Sequence, residues 1–193
     1  MEMIKRSLGS EDFQTREDSE KNELIIEGYF SVFDSPYEIG RDAYETVSRN
    51  AFSDTLGGDI RALINHDTSL VLGRTTVGTL ELATDEHGLF GRIKINPNDS
   101  DAMNIYERVK RGDVNQCSFG FEILDESTEI LEDKRVHFSI NKVRLHEVSV
   151  CTFPAYEETA VSARSAEAGE YLKKREIDAW RVRMMEKLTG GAE

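Results

Sequence analysis

Apolar and polar positions alternate over most of the chain, at the period of two that sends successive side chains to opposite faces of a strand. The segment ELIIEGYFSVFD (23–34), rich in β-branched and aromatic residues, predicts a first strand. IRALIN (60–65) carries apolar residues at the alternate positions Ile60, Ala62 and Ile64 and predicts another. VLGRTTVGTLELATD (71–85) and GLFGRIKIN (88–96) predict a hairpin turned by DEHG. VNQCSFGFEILDE (114–126) and RVHFSINKVRLHEVSVCTF (135–153) complete the strand set. In the last of these Val136, Phe138 and Ile140 share one parity while Val143 and Leu145 hold the other, which predicts a bulge or bend near Asn141–Lys142.

Helical spacing is rarer. SRNAFSDTL (48–56) predicts one or two helical turns, ended by Gly57 and Gly58. NDSDAMNIYERVKRGD (98–113) is the clearest interior helix, with Ala102, Ile105, Tyr106 and Val109 on one face, polar caps before them and Gly112 as the stop. SAEAGEYLKKREIDAWRVRMMEKL (165–188) predicts a separate C-terminal helix whose apolar stripe is Leu172, Ile177, Trp180, Met184 and Leu188, docked on a partner or on the body of the protein. Residues 1–22 are polar and charged and read as a flexible arm, so the expected layout is an arm over 1–22, a domain over 23–162 and a helical tail over 163–193. Many short antiparallel strands, one helix among them and one at the end predict a mainly β (α+β) fold, a closed or nearly closed barrel with peripheral helices.

A length of 193 residues suits one domain with short tails, and 38% hydrophobic residues allow a modest core. The net charge of −13 argues against a nucleic-acid binder, which would show a basic patch. No run of about eighteen apolar residues exists, so no membrane span is expected. The opening MEMIKRSLGSEDFQ lacks the apolar core of a signal peptide, so export is not expected. Cys117 and Cys151 lie in apolar runs without a disulfide framework, which points to a reducing compartment.

The candidate chemistry centres on NQCSFGF (115–121). A serine hydroxyl is a weak nucleophile until a neighbouring base takes its proton, and histidine is the usual base. Of the four histidines, His87 falls in a predicted turn and His137 near a strand start; His66 ends an apolar strand, where a side chain projects from rigid support. His146 and Glu147 lie next to each other in an apolar strand, where an acid is costly unless paired. Either one is a candidate third member that orients and stabilises an imidazolium. Alternation sends the two to opposite faces, so one of them is expected to face the site. Backbone N–H groups near Ser118, Phe119 and Gly120 are candidate oxyanion donors.

Each residue also has a plainer reading. Ser118 fits a strand as a small polar residue, His66 fits a capping role at the strand end, and Glu147 fits an ion pair with Arg144, Arg74 or Arg92. Cys117 fits an inert buried thiol, with a cysteine nucleophile as the sharper alternative. The histidines and acids at 65–67 and 146–147 lack the spacing of a metal site, so no metal and no cofactor are expected.

Four stretches, in order, carry a resemblance: IEGYFSVFD followed by YETVSRNAFSDTL; ALINHDTSLVLGRT; VNQCSFGF, with its Ser-x-Gly-Phe; and LHEVSVCTFPAYEETAV, with its Glu-Val-Ser and later Pro-Ala. Together they cover residues 24–162, and the chain so resembles the prohead serine proteases of tailed bacteriophages, relatives of the herpesvirus assemblin proteases. The resemblance implies His66 as general base, Ser118 as nucleophile and Glu147 as the acidic third member, with His146 as the alternative because the viral relatives use a second histidine. It implies a seven-stranded antiparallel barrel with surrounding helices. It further implies an endopeptidase in the host cytoplasm, inside the procapsid, that cleaves the scaffold portion of the major capsid protein and then itself. A homodimer or assembly-dependent oligomer is expected, with the helix at 165–188 as the candidate for that contact or for coupling to a scaffold segment, and the tail after about 160 is expected to be removed or rearranged during self-processing. The competing expectation is a non-enzymatic internal scaffold or adaptor of the procapsid, in which Ser118 and His66 need not meet.

Overall fold

A computed structural model describes residues 3–9, 13–18, 23–39, 42–153 and 158–189. The chain is mainly β, with two α-helices and eleven strands among the described residues. The strands are β1 (Ile4–Gly9), β2 (Gln14–Asp18), β3 (Glu23–Val32), β4 (Tyr37–Glu38), β5 (Ala43–Val47), β6 (Arg61–Ile64), β7 (Asp67–Arg74), β8 (Leu80–Thr84), β9 (Gly88–Ile95), β10 (Gln116–Ile130) and β11 (Val136–Cys151). The helices are α1 (Ser100–Arg111) and α2 (Glu158–Thr189).

The strands form two open sheets, which corrects the expectation of one closed antiparallel barrel. The larger has the order β1-β10-β11-β5-β4 with the β6–β7 hairpin attached to β11; the smaller has the order β2-β3-β9-β8. The larger sheet is also mixed, because β5 and β6 both run parallel to β11. Alternation along a strand reports which residues are inside but carries nothing about which strand is its neighbour, so closure and direction were beyond the sequence pattern.

β10 and β11 are the spine of the larger sheet, an antiparallel pair from Gln116↔Cys151 to Ile130↔Val136. β5 pairs with the first part of β11 and β6 with Glu147–Val150, which leaves the middle of β11 without a strand on that side. The segment 48–58 fills this gap as a series of tight turns rather than helical turns. Its Ala51 carbonyl accepts from Val143 N at 3.0 Å, and its Thr55 hydroxyl accepts from Leu145 N at 2.8 Å. Phe52, fully buried, anchors the segment edge-on against Phe119. Burial of one such ring contributes roughly 1.5–3 kcal/mol.

Residues 4–9 and 14–18, read from the sequence as part of an arm, are strands on the open edges of the two sheets: β1 against β10 and β2 against β3. They are polar because an edge strand is half solvated, and Phe13 and Ile4 supply the apolar contacts. The rest of the expected arm lies outside the described residues. α1 forms as its sequence predicts: Asp99 accepts from Asp101 N and Ala102 N, Gly112 ends it at φ 86°, and Ala102, Ile105, Tyr106 and Val109 are buried. α2 begins before the expected start at 165. Its Ala168 and Leu172 pack on a second, small core of Ile39, Ala43, Val136 and Phe138, while Ile177, Trp180 and Met184 are exposed. The side chain of Leu188 lies outside the described residues.

Candidate active site

The site begins at the β6–β7 hairpin. Ile64 pairs with Asp67, so Asn65 and His66 are the two central residues of a tight turn, both left-handed at φ 50° and 61°. That is the backbone a two-residue turn between twisted strands needs, and Asn and His are among the non-glycine residues that tolerate it. Because β6 runs parallel beside β11, the turn arrives over the end of that strand. Asn65 N donates to the Val150 carbonyl at 3.0 Å, and Asn65 Oδ1 accepts from Thr152 N at 2.8 Å. A bidentate Arg74–Asp59 pair, 2.6 Å for both bonds, closes the open end of the hairpin.

Two irregularities in β11 decide what the turn meets. The first falls around Asn141, where the register against β10 slips. The second is at His146: Gly120 pairs with Glu147 but Phe121 pairs with Leu145, so His146 is an extra residue. Leu145 and Val148 therefore both face the core, while Glu147, Ser149 and Cys151 share the other face with their cross-strand partners Gly120, Ser118 and Gln116. Without the extra residue, alternation from Leu145 would send Glu147 into the apolar core.

His66 Nδ1 lies 2.7 Å from Glu147 Oε1. A carboxylate only accepts, so Nδ1 carries the hydrogen and Nε2 of the neutral ring is left with its lone pair. Ser149 Oγ donates to the second oxygen, Glu147 Oε2, at 2.6 Å, and accepts from His66 N at 3.2 Å. Glu147 is 4% exposed and Ser149 fully buried, so the acid stands in a dry setting with a donor on each oxygen. Gly120 makes room for it: a Cβ at that position would overlap Glu147 Oε1.

His146 takes a different partner: its Nε2 lies 3.3 Å from Glu122 Oε1. Of the two adjacent candidates, then, the fold brings Glu147 to His66 and sends His146 away. Arg144 pairs with Glu122, Arg74 with Asp59 and Arg92 with Glu27, so the ion pairs weighed for Glu147 are not made.

Ser118 lies directly across from Ser149 in the β10–β11 ladder and is fully buried. It shares a sheet face with Glu147, one residue pair from it. Among the described residues no hydrogen bond joins Ser118 to His66; His66 Nε2 faces Cys151 Sγ at 3.8 Å instead. Burial, reinforced by the Glu147 charge, pushes the Cys151 thiol up to about 12, so it is protonated at neutral pH. Cys117 is on the opposite, core face, its Sγ against the Tyr29 carbonyl at 2.9 Å, and burial raises its thiol well above the ordinary range. Across Ser118–Gly120, β10 has β1 on one side and β11 on the other, so its amides are turned into ladders rather than toward a pocket.

A shallow depression of about 400 Å³ opens beside the pair, lined by Asn65, His66, Cys151, Thr152 and the strongly exposed Phe153. The Pro154–Ala155 end of the fourth motif lies outside the described residues. Among the described residues, no group of three or more His, Cys, Asp or Glu side chains is arranged to hold a metal. No helix there is long and apolar enough to cross a membrane. Ser149 was missed in the sequence; the available signal was the Glu-Val-Ser spacing, two polar residues two apart in an apolar strand and so on one face.

The model of the caudovirus prohead serine protease family matches residues 11–174. The prohead protease of Enterobacteria phage HK97 is 29% identical over 185 residues, which covers 93% of this chain and 77% of that one. Among solved structures, that of the bacteriophage T4 capsid assembly protease gp21 aligns with a TM-score of 0.49 and 10% identity, covering 78% of this chain and 97% of the other.

Proposed function

The chain belongs to the caudovirus prohead serine protease family, and from that premise we propose that Ser118, His66 and Glu147 are its nucleophile, base and acid. The protein is a serine protease of capsid maturation. Its substrate is a capsid-protein segment within the procapsid, and the finer reading is the scaffold portion of the major capsid protein, followed by the protease itself. A dimer or assembly-linked oligomer in the host cytoplasm remains part of this reading, with the exposed face of α2 as the contact.

The carrying observation is the Nδ1–Oε1 pair of His66 and Glu147, set on the face of β10–β11 that bears Ser118. Ser118 Oγ attacks the peptide carbonyl as His66 Nε2 takes its proton. Glu147 fixes the tautomer and stabilises the imidazolium. The acyl-enzyme forms, His66 returns the proton to the leaving amine, and water completes hydrolysis. Nε2 must turn from Cys151 toward Ser118 for this step, a tightening expected when substrate binds. The oxyanion donors are those of the Ser118, Phe119 and Gly120 N–H groups, alternate along the strand, that face β1, released when β1 yields its place beside β10 to an extended substrate strand.

The test is labelling by a fluorophosphonate probe. Wild-type protein is expected to label at Ser118. Ser118→Ala abolishes labelling, and His66→Ala slows it by about 10³-fold or more, with both variants folded. Full labelling of either variant overturns the assignment.

A further inference from the structure

We infer that Ser149 is a positioning residue of this protease, a hydroxyl that holds both the base and the acid in register. The inference rests on the Ser118–His66–Glu147 reading and adds to it the part that keeps two members together.

A hydroxyl has one proton to donate and lone pairs to accept with. Ser149 uses both inside the site. It donates to Glu147 Oε2 at 2.6 Å and accepts from the backbone N of His66 at 3.2 Å. With the 2.7 Å bond from His66 Nδ1 to Glu147 Oε1 this makes a closed ring of three hydrogen bonds. The main chain of His66 is tied through Ser149 to one carboxylate oxygen, and its imidazole to the other.

Each bond meets a separate need. His66 is the second central residue of a two-residue turn, and its amide lies outside the β6–β7 ladder. Without Ser149 that N–H would be left on a left-handed residue whose conformation already costs on the order of 1 kcal/mol. Glu147 is nearly fully buried, and a buried carboxylate with a single donor is poorly compensated. Ser149 supplies the second donor from two residues along the same strand, so the ring depends on β11 alone for one side and on one turn for the other. The arrangement also separates the two facing serines. The Ser149 proton is directed at the acid, away from His66 Nε2, which leaves nucleophilic attack to its cross-strand partner Ser118.

The experiment uses the full chain with a fluorophosphonate probe, reading kinact and KI separately, together with the far-downfield imidazole N–H signal in proton NMR. Wild type is expected to show a His66 signal that is lost in His66→Ala. In Ser149→Ala the signal is expected to vanish or move, and kinact to fall about 10- to 100-fold, as for loss of an outer partner that orients a reacting group. KI is expected to stay within about threefold, since the binding surface is unchanged. Ser149→Thr and Ser149→Val form a pair of equal shape that differs in the hydroxyl, so their comparison holds even where the alanine variant fails to fold. Thr is expected to exceed Val in kinact by about tenfold or more. Equal kinact for Thr and Val, or a wild-type signal and kinact in Ser149→Ala, overturns the role of Ser149 while Ser118→Ala and His66→Ala stay inactive. Undiminished labelling in Ser118→Ala or His66→Ala instead brings down the underlying assignment.

Discussion

The Glu147 carboxylate lies against the main chain of Gly120, directly across the β10–β11 ladder, in space that any side chain at 120 would occupy. The glycine of the Ser-x-Gly motif is thus explained by the acid. It clears the floor on which the carboxylate sits, two residues from Ser118 on the same sheet face.

Gly120→Ala follows from this contact. The added methyl must push the carboxylate away from His66 or shift β10, at an overpacking cost of about 1–3 kcal/mol. A folded protein with a lower melting temperature and a turnover reduced by about tenfold or more is expected. Calorimetry and a cleavage assay on purified variant check both halves.

Glu147→Gln and His146→Ala separate the adjacent candidates. The glutamine amide keeps the shape of the acid but not its charge, so the imidazolium loses its stabiliser and the tautomer its reason. Activity should drop by about 10²- to 10⁴-fold. His146→Ala removes a partly exposed partner of Glu122 and should leave turnover within about twofold. The reverse order would move the third role to His146.

Both thiols should be dispensable. Cys117 is sealed in the core and Cys151 is protonated at neutral pH, so neither supplies a thiolate. Iodoacetamide at neutral pH should leave the folded protease active, and Cys117→Ala should lose stability by about 1–2 kcal/mol but keep its cleavage rate. Loss of acylation in Cys117→Ala at unchanged fold would make it the nucleophile.

The hairpin that carries His66 has an acid limit of its own. Hydrogen bonds from Arg74 hold the Asp59 carboxyl down from its ordinary 3.8 to about 2. A carboxyl lowered on folding stabilises the folded state above its unfolded value, and that contribution disappears as pH falls from about 4 toward 2. Asp59→Asn should therefore flatten the melting temperature against pH in this window, and exchange of hairpin amides should speed up at neutral pH. An unchanged slope would remove Asp59 from the account.

Removal of residues 1–9 should free the β10 edge beside Ser118. If an extended substrate takes the place of β1, the truncated protein should show a lower KM for a capsid-scaffold peptide at similar kcat. A raised KM would mean that β1 supports the site rather than occupying its entrance.

The elements were legible where one local pattern sufficed. Ala102, Ile105, Tyr106 and Val109, with Asp99 and Gly112 at the ends, mark α1 because capping and a buried face are properties of consecutive residues. The parity change in RVHFSINKVRLHEV marks the irregularity near Asn141 for the same reason. The segment 48–58 shows the limit: its spacing suits a helix, yet its Ala51 and Thr55 are recruited by the exposed amides of Val143 and Leu145, and it folds as turns.

By itself the sequence determined the strand periods, the position of α1, the long C-terminal helix and the ordered motifs that mark His66, Ser118 and Glu147 for one chemistry. Tertiary structure alone decided the rest. It set two open sheets instead of a barrel, β6 parallel beside β11, Glu147 rather than His146 at His66, and Ser149 between them. The physical reason is that alternation fixes a face only relative to the preceding residue. One extra residue at His146 reverses that face, and hydrogen-bonding partners 81 or more positions away in the chain choose where the turn at His66 lands.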